Sequence, residues 1–318
     1  MRDATDAHQA DAPKIAVLIP CHNEESTVGK VVADFRAALP DAEIVVCDNA
    51  STDATATRAA AAGARVVSQP LRGKGNAVWR LFADVDADLY VLVDGDDTYE
   101  AADAPALVAR CLSGRFDMVN GARVPVDPGT SRFGHDLGNV ALTRMVVAAF
   151  GHQFDDMLSG YRVFTRRFVK SFPALSQGFE IETELTVHAL ELRMPVSEVR
   201  TPYRLRPAGS LSKLRTYSDG LRILRTIFVL LKEERPFQFF GVLAVCFALL
   251  SVGLALPVLV EFAETGLVPR LPTAVLASAL MIVAVLNFVC GLILDTVTRG
   301  RRELKLLRYL EAGAPRQR

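Results

Sequence analysis

Two long stretches without a charged residue constrain the fold of this chain more than any other feature. They run from Phe237 to Val260 and from Leu271 to Leu294. Each exceeds the roughly 20 apolar residues with which a helix crosses a bilayer. Pro257 lies near the end of the first stretch, where local adjustment can absorb a lost hydrogen bond. The sequence therefore predicts two transmembrane helices, and the alternative is a buried helical hairpin of a soluble protein.

The charges around these stretches predict their orientation. Basic residues precede the first stretch and follow the second, at Arg222, Arg225, Lys232, Arg235, Arg299, Arg301, Arg302, Lys305 and Arg308. The connection between them carries Glu261, Glu264 and Arg270. Positive residues mark the cytoplasmic side, and residues 1–13 contain no apolar signal segment. We therefore expect two spans in the inner (cell) membrane, with the preceding domain and both termini in the cytosol.

Short β-branched segments alternate with helical patterns in the first part of the chain. Predicted strands cover 14–20, 43–47, 65–68, 89–93 and 117–120. Four predicted helices lie between them: the first ends near 39, the second begins near 53, and the third and fourth cover 76–85 and 102–112. This alternation predicts an α/β domain with a mainly parallel sheet and right-handed crossovers. The first strand is followed by Pro20-Cys21-His22-Asn23-Glu24 and not by a glycine-rich fingerprint, which disfavours a dinucleotide dehydrogenase and a P-loop enzyme.

The stretch LYVLVDGDDTYE, residues 89–100, places three carboxylates directly after a buried strand. In open α/β sheets ligands bind at the carboxyl ends of the strands, and side chains at i and i+2 point the same way. Asp94 and Asp96 would then repel each other unless a cation lies between them, and oxygen ligands suit Mg²⁺ or Mn²⁺. The sequence predicts a metal site here. The alternative is a solvated turn in which Asp97 caps the next helix.

Polar residues also follow the other predicted strands, and they should meet at the same edge of the sheet. These are Asn23, Glu24, Asp48, Asn49, Ser51, Thr52 and Asp53. Between them lies Arg72-Gly73-Lys74-Gly75. Its glycines permit close approach of the backbone, and the positive side chains of its arginine and lysine suit a diphosphate. This convergence predicts a site for a nucleotide diphosphate and a divalent metal.

A basic segment precedes the first hydrophobic stretch. Between Arg200 and Arg235 there are nine lysines or arginines and three acids, and residues 216–232 have the pattern of an amphipathic helix. The segment could bind anionic lipid heads or a specific ligand. We expect a disordered lead (1–13), a cytosolic domain (14–215), an interface helix (216–235), a transmembrane hairpin (236–296) and a basic cytosolic tail (297–318).

Several motifs together resemble the membrane-anchored members of glycosyltransferase family 2 that transfer a sugar to a polyprenyl phosphate. They are Pro20-x-x-Asn23-Glu24, Asp48-x-x-Ser51-Thr52-Asp53, Gly73-Lys74-Gly75, Asp94-x-Asp96, Asp156-x-x-Ser159-Gly160-Tyr161-Arg162 and Arg206-x-x-Gly209-x-x-Ser212-Lys213. The resemblance runs from about Lys14 through both hydrophobic stretches. It implies a GT-A type nucleotide-sugar-binding fold, followed by the interface helix and two transmembrane helices.

The resemblance also implies a role for each matching residue. The nucleotide would be bound by Pro20, Asn23, Glu24, Asp48, Lys74 and Asp94, with Asp48 at the base and Glu24 at the ribose. Asp94 and Asp96 would hold the metal, and Asp96 and Asp156 would be catalytic. The acceptor phosphate would be bound by Arg123, Arg132, Arg206, Ser212 and Lys213. Asn49 stands where a second aspartate is usual, so no direct role at the nucleotide is expected for it.

Two further groups of residues are weighed against structural roles. A phosphate monoester is largely dianionic at neutral pH, with a second pKa of ~6, so Asp156 would orient the acceptor and would not be an obligatory base; a turn or capping role is the alternative. At most one of Glu180, Glu182 and Glu184 is expected near the sugar, with the others on a solvated helix face. The histidines His135, His152 and His188 are expected to be structural.

The resemblance implies an inverting, metal-dependent transfer from a nucleotide diphosphate sugar, with UDP-glucose favoured, to a polyprenyl phosphate lipid at the cytosolic membrane face. It also implies a homo-oligomer, and no nucleic-acid partner is expected. The alternatives are a GDP-mannose-dependent mannosyltransferase and a membrane-tethered nucleotide-binding scaffold without turnover. A processive polysaccharide synthase is disfavoured, because the only tryptophan, Trp79, is not part of a Q-x-x-R-W motif.

Overall fold

The computed structural model describes residues 12–126, 156–178, 180–206, 228–229, 232–233 and 235–313. The chain divides into two compact units. The first comprises Met1–Ile223 and Lys305–Arg318, and the second comprises Leu224–Leu304. The predicted interface helix, 216–235, lies mostly outside the described residues.

A seven-stranded sheet forms the centre of the first unit. Its strands are β1 (Ile15–Cys21), β2 (Glu43–Asp48), β3 (Arg65–Ser68), β4 (Leu89–Leu92), β5 (Met118–Pro125), β6 (Arg162–Thr165) and β7 (Val196–Tyr203). Their order is β3-β2-β1-β4-β6-β5-β7. Only β6 pairs antiparallel with its neighbours, β4 and β5, so the expectation of a mainly parallel sheet is confirmed.

Helices connect these strands and cover the sheet. They are α1 (Val28–Ala38), α2 (Thr55–Ala61), α3 (Lys74–Asp84), α4 (Ala104–Ser113), α5 (Arg166–Ser171) and α6 (Ile181–Glu191). In α1 the buried residues Val28, Val31, Val32 and Phe35 have the spacing of one helix face. They pack against buried strand residues such as Val17 and Val91 in one hydrophobic core. The central strands β1, β2 and β4 are apolar on both faces because helices cover both.

The strand directions bring one edge of the sheet together as a site. The parallel strands β1, β2, β4, β5 and β7 all end there. Because β6 runs the opposite way, its first residue, Arg162, pairs with Leu92 near the end of β4 and with Asn120 of β5. The segment before β6, which begins at Asp156 among the described residues, therefore reaches the same edge as the acidic residues after β4.

Two long helices follow, α7 (Pro236–Thr265) and α8 (Leu271–Glu311). Both are long and apolar enough to cross a membrane, and only 17% of the most apolar 18-residue segment of each helix is buried. A core helix of a soluble protein would be mostly buried, so the exposure favours transmembrane helices. Apart from Pro236 at the start of α7, the buried positions of these two helices are small or β-branched, at Ala244, Ser251, Val258, Ala277, Ala284 and Gly291. Small residues let two helices approach closely.

The last turns of α8 belong to the first unit. Lys305 Nζ lies 2.6 Å from Glu191 Oε2, and the Tyr309 hydroxyl donates to Asp117 Oδ2 at 2.8 Å. The Arg167 guanidinium lies over the Tyr309 ring at 4.8 Å and also binds Asp117. The residues predicted as a basic tail thus continue the helix as far as Glu311.

Candidate active site

A cavity of about 720 Å³ opens at the carboxyl edge of the sheet. Its lining includes seven of the predicted site residues, Pro20, Asn23, Glu24, Lys74, Asp94, Asp96 and Arg206. Asp48 ends β2 beside them, and its Oδ1 accepts a hydrogen bond from Ser51 N at 3.3 Å, but it is not among the described residues that line the cavity. Most residues predicted to bind the nucleotide are therefore neighbours in space.

The loops after β1 and β2 are tied to each other. Asn23 has φ 52°, in the left-handed region, which brings its side-chain oxygen to Thr52 N at 2.8 Å. Asn23 N donates to Ser51 Oγ at 3.0 Å, and Glu24 N donates to Thr55 Oγ1 at 2.8 Å. These bonds explain the pairing of the two motifs in the sequence, because each loop satisfies the backbone groups of the other.

Lys74 joins Asp94 to a second carboxylate that the sequence left unassigned. Lys74 is the first residue of α3, and its Nζ lies 2.5 Å from Asp94 Oδ1 and 2.5 Å from Glu182 Oε1 of α6. Burial alone would lower the pKa of Lys74, but the two carboxylates outweigh burial and raise it. Asp94 packs against Gly160, where a Cβ atom would lie 2.4 Å from Asp94 Oδ2. The lysine is therefore a fixed cation beside Asp94.

Asp96 is almost completely buried, with 3% of its surface exposed. Its Oδ1 accepts a hydrogen bond from Thr98 Oγ1 at 2.6 Å, and its Oδ2 lies 2.6 Å from an Arg206 guanidinium nitrogen. Burial raises the pKa of Asp96, and the charge of Asp94 adds to this, while Arg206 partly offsets both. Arg206, which was predicted to bind the acceptor phosphate, is thus paired with Asp96, which was predicted to bind the metal.

The pair Asp94 and Asp96 fits a divalent cation that other ligands help to hold. Among the described residues, no three His, Cys, Asp or Glu side chains are placed to bind an ion on their own. Mg²⁺ and similar ions are commonly held by one or two carboxylates together with substrate phosphates. Both carboxylates already carry a cationic nitrogen, from Lys74 and Arg206. The oxygen-only donors suit a hard divalent ion shared with a diphosphate, and such an ion would have to displace these nitrogens or share the carboxylates with them.

Asp156 forms a two-point ion pair with Arg123. Arg123 Nε lies 2.7 Å from Asp156 Oδ2, and a second guanidinium nitrogen lies 2.8 Å from Oδ1. Burial would raise the pKa of Asp156, but Arg123 outweighs burial and the pKa is lowered. A carboxylate with a lowered pKa is a weak general base. Neither residue is among the described residues that line the cavity.

The remaining expectations have mixed outcomes. Arg132, Ser212, Lys213, His135 and His152 lie outside the described residues. Asp97 pairs with Lys30 at 2.7 Å and does not cap α4. Glu182 is the glutamate near the site. Glu184 is half-buried, and its carboxylate accepts hydrogen bonds from Leu175 N and Ser176 N.

Two buried residues support the site in ways that sequence reasoning missed. Arg162 is 1% exposed, and its guanidinium donates to the carbonyls of Met157 and Ser159 at 2.6 and 3.0 Å. It therefore fixes the segment that carries Asp156. The Glu182 carboxylate forms an ion pair with Lys74, whose Nζ also contacts Asp94. The S-G-Y-R motif signalled the first of these, whereas nothing local distinguishes Glu182 from its neighbouring glutamates.

Comparison with known proteins identifies the family. The family model described as Glycosyl transferase family 2 matches residues 16–172. Glycosyltransferase AglJ of Haloferax volcanii is 33% identical over 300 residues, which cover 93% of this chain and 98% of that protein. The chain belongs to glycosyl transferase family 2. It is an enzyme of the glycosyltransferase class, as the motifs predicted.

Two further similar proteins add detail to this assignment. The dolichyl-phosphate hexose transferase of Haloferax volcanii is 30% identical over 221 residues, covering 70% of this chain and 95% of that protein. Glucosyl-3-phosphoglycerate synthase of Mycobacterium tuberculosis, crystallised with Mn²⁺, UDP and glucosyl-3-phosphoglycerate, is 27% identical with a TM-score of 0.56, covering 70% of this chain and 80% of that one. The predicted GT-A type α/β fold is confirmed.

Proposed function

We propose that this enzyme transfers a hexose from a nucleotide diphosphate sugar to a polyprenyl phosphate at the cytosolic face of the inner (cell) membrane, with inversion at the sugar carbon. The observation that carries the proposal is the cavity in which Asp94 and Asp96 lie beside Lys74 and Arg206. Its mixture of paired acids and bases suits a metal-bound diphosphate. The similarity to a dolichyl-phosphate hexose transferase supports a lipid phosphate as the acceptor.

The donor half of the reaction follows from the residues of the cavity. Asp48 and Glu24 would bind the nucleoside, and Lys74 would bind the diphosphate as a cation already held in place by Glu182. A divalent cation bound with Asp94 and Asp96 would stabilise the charge that develops on the leaving nucleoside diphosphate. UDP-glucose is the favoured donor, and the Mn²⁺ and UDP in the related synthase crystals support a uridine nucleotide.

The acceptor half would use the basic residues near the same edge. An oxygen of the dianionic acceptor phosphate attacks the sugar C1, and the bond from C1 to the diphosphate breaks. No proton needs to leave this nucleophile. Asp156, with its pKa lowered by Arg123, would therefore hold Arg123 in place for the acceptor and would not remove a proton. Arg206, together with Arg132, Ser212 and Lys213, completes the proposed phosphate site.

The membrane helices would deliver the acceptor. A polyprenyl chain lies in the bilayer, so a phosphate at its end reaches the protein at the membrane surface. The apolar, mostly exposed helices α7 and α8 support an anchor, and the basic residues beyond both spans support a cytosolic catalytic unit. A homo-oligomer and the boundaries 14–215 for the catalytic domain and 236–296 for the hairpin are part of the proposal.

A donor panel tests the proposed function. The purified full-length protein would be incubated with undecaprenyl phosphate and with UDP-glucose, other UDP-hexoses or GDP-mannose, with and without EDTA, and the lipid product analysed by mass. We expect a hexosyl-phosphoryl lipid from UDP-glucose that EDTA abolishes. Product from GDP-mannose alone would favour the mannosyltransferase alternative. Nucleotide binding without product from any donor would favour the scaffold alternative.

A further inference from the structure

Asn49 lies at the junction of three chain segments and is one of the residues that line the cavity. It directly follows β2 and is 4% exposed. Its backbone N–H donates to Cys21 O at 2.8 Å, and its backbone carbonyl lies 2.8 Å from Nδ1 of His22. These two bonds hold the residue against the end of β1. The side chain is thereby directed towards the loop that follows β3.

The side chain of Asn49 makes three hydrogen bonds to the backbone of that loop. Its Nδ2 donates to the carbonyls of Gln69 and Leu71, at 3.1 and 2.6 Å, and its Oδ1 accepts from Gly73 N at 2.7 Å. Two carbonyls require two donors from one atom, and the N–H requires an acceptor. Of the side chains of this size, only an amide supplies both.

A carboxylate of the same shape would not fit this arrangement. It has no donor, so one of its oxygens would face the carbonyl oxygens of Gln69 and Leu71 without a hydrogen. Both carbonyls would lose a bond, and the buried charge would be repelled by two dipoles. An asparagine at this position, and not an aspartate, is therefore matched to the path of this loop.

The loop in turn places two cations of the cavity. Gly73 has φ +132°, and a Cβ atom there would lie 2.1 Å from Gln177 O, so the backbone passes through a narrow space in a conformation that only glycine adopts easily. Arg72 and Lys74 flank this glycine, and both line the cavity. Lys74 reaches Asp94 at 2.5 Å. A shift of Gly73 would displace both cations.

We propose that Asn49 is a positioning residue for the diphosphate of the donor. It acts through the backbone of residues 69–73, which its side-chain amide holds so that Arg72 and Lys74 face the phosphates. This inference rests on the proposed function for the identity of the ligand as a nucleoside diphosphate. It predicts that the nearly isosteric change Asn49→Asp impairs donor binding.

The test compares UDP binding, in the presence of Mn²⁺, by the full-length wild type, Asn49→Asp and Asn49→Ala. Ser171→Ala is the matched control, because Ser171 is a buried, hydrogen-bonded residue that is not part of the site. At pH 8 we expect at least tenfold weaker UDP binding for both Asn49 variants and wild-type affinity for Ser171→Ala. The donor KM should rise, with the acceptor KM unchanged.

The pH profile separates positioning from general destabilisation. A protonated aspartic acid regains one donor, so the defect of Asn49→Asp, taken as a ratio to wild type, should shrink as the pH is lowered towards 5.5. The defect of Asn49→Ala should not. The titratable or charged groups nearby, His22, Asp48 and Arg72, are present in every variant, as is the UDP phosphate, so their titration cancels in the ratio.

The possible outcomes are distinct. Wild-type UDP affinity at pH 8 in Asn49→Asp, or in Asn49→Ala if the aspartate variant does not fold, would overturn the inference. A loss of affinity in Asn49→Asp that is the same at every pH would also overturn it. If the wild type itself binds neither UDP nor GDP, the proposed function fails, which is a different result.

Discussion

Replacing Arg206 by glutamine should tighten Mn²⁺ binding while it weakens use of the acceptor. Arg206 lies 2.6 Å from Asp96 Oδ2, and the Asp96 side chain is only 4% exposed. The guanidinium therefore neutralises a carboxylate that the proposed metal requires. A metal that binds Asp96 must displace Arg206 or share the carboxylate with it, so removing the positive side chain removes a competitor.

The size of the effect follows from the broken interaction. A hydrogen bond to a charged group contributes about 1.5–3 kcal/mol, and about 1.4 kcal/mol corresponds to a tenfold change in an equilibrium constant. Mn²⁺ should therefore bind the variant roughly tenfold to a hundredfold more tightly. The acceptor KM should rise by a similar factor, because a contact to the phosphate dianion is lost. Arg206 would thus couple binding of the metal to binding of the acceptor phosphate.

The assay is a titration of Mn²⁺ followed by electron paramagnetic resonance, on detergent-purified protein without nucleotide. Arg204→Gln is the matched control, because Arg204 is close in sequence but pairs with Glu100 and lies outside the cavity lining. Its Mn²⁺ affinity should equal that of the wild type. Weaker or unchanged Mn²⁺ binding by Arg206→Gln would refute the reasoning, whatever happens to transfer.

Three other substitutions test separate parts of the structure. Asp96→Asn should lower the transfer rate at saturating Mn²⁺ about a hundredfold, since a lost charge-stabilising contact costs ~3 kcal/mol; a near-normal rate would contradict the metal assignment. Tyr309→Phe removes a hydrogen bond to the buried carboxylate of Asp117 and should lower the free energy of unfolding by about 1.5–3 kcal/mol, measured by denaturant titration in detergent; an unchanged value would show that this contact adds nothing. Burial lowers the pKa of His188 to about 3, with Lys305 adding to the effect. Between pH 6.5 and 3 the unfolded chain therefore binds one more proton than the folded chain. As the pH is lowered through this range, the free energy of unfolding should fall more steeply for the wild type than for His188→Phe; parallel curves would argue against a buried neutral histidine.

Much of the fold could be predicted from local patterns. Alternating apolar and helical segments predicted the first four strands to within one residue and the start of β5, which extends five residues further than expected, and uncharged length predicted α7 and α8. These signals are local, because a segment buried on both faces must be apolar wherever the rest of the chain lies. The rule that parallel strands end at one edge then predicted that Asn23, Glu24 and Asp94 would meet.

The antiparallel direction of β6 could not be predicted in the same way. Its segment is short, and apolar alternation is the same for either strand direction. Only pairing with both β4 and β5 sets its direction, and this direction brings Asp156 to the edge where Asp94 lies.

The sequence by itself determined which residue types gather at the site, and the tertiary structure decided which of them pair. Asp96 with Arg206, Lys74 with Glu182, and Asn49 with the backbone of residues 69–73 are contacts between segments far apart in the chain. A motif records that an acid or an amide is present, but the strength of an ion pair depends on distance and burial. Those quantities exist only once the sheet and its loops are packed, which is why the partner of each charge became known from the structure alone.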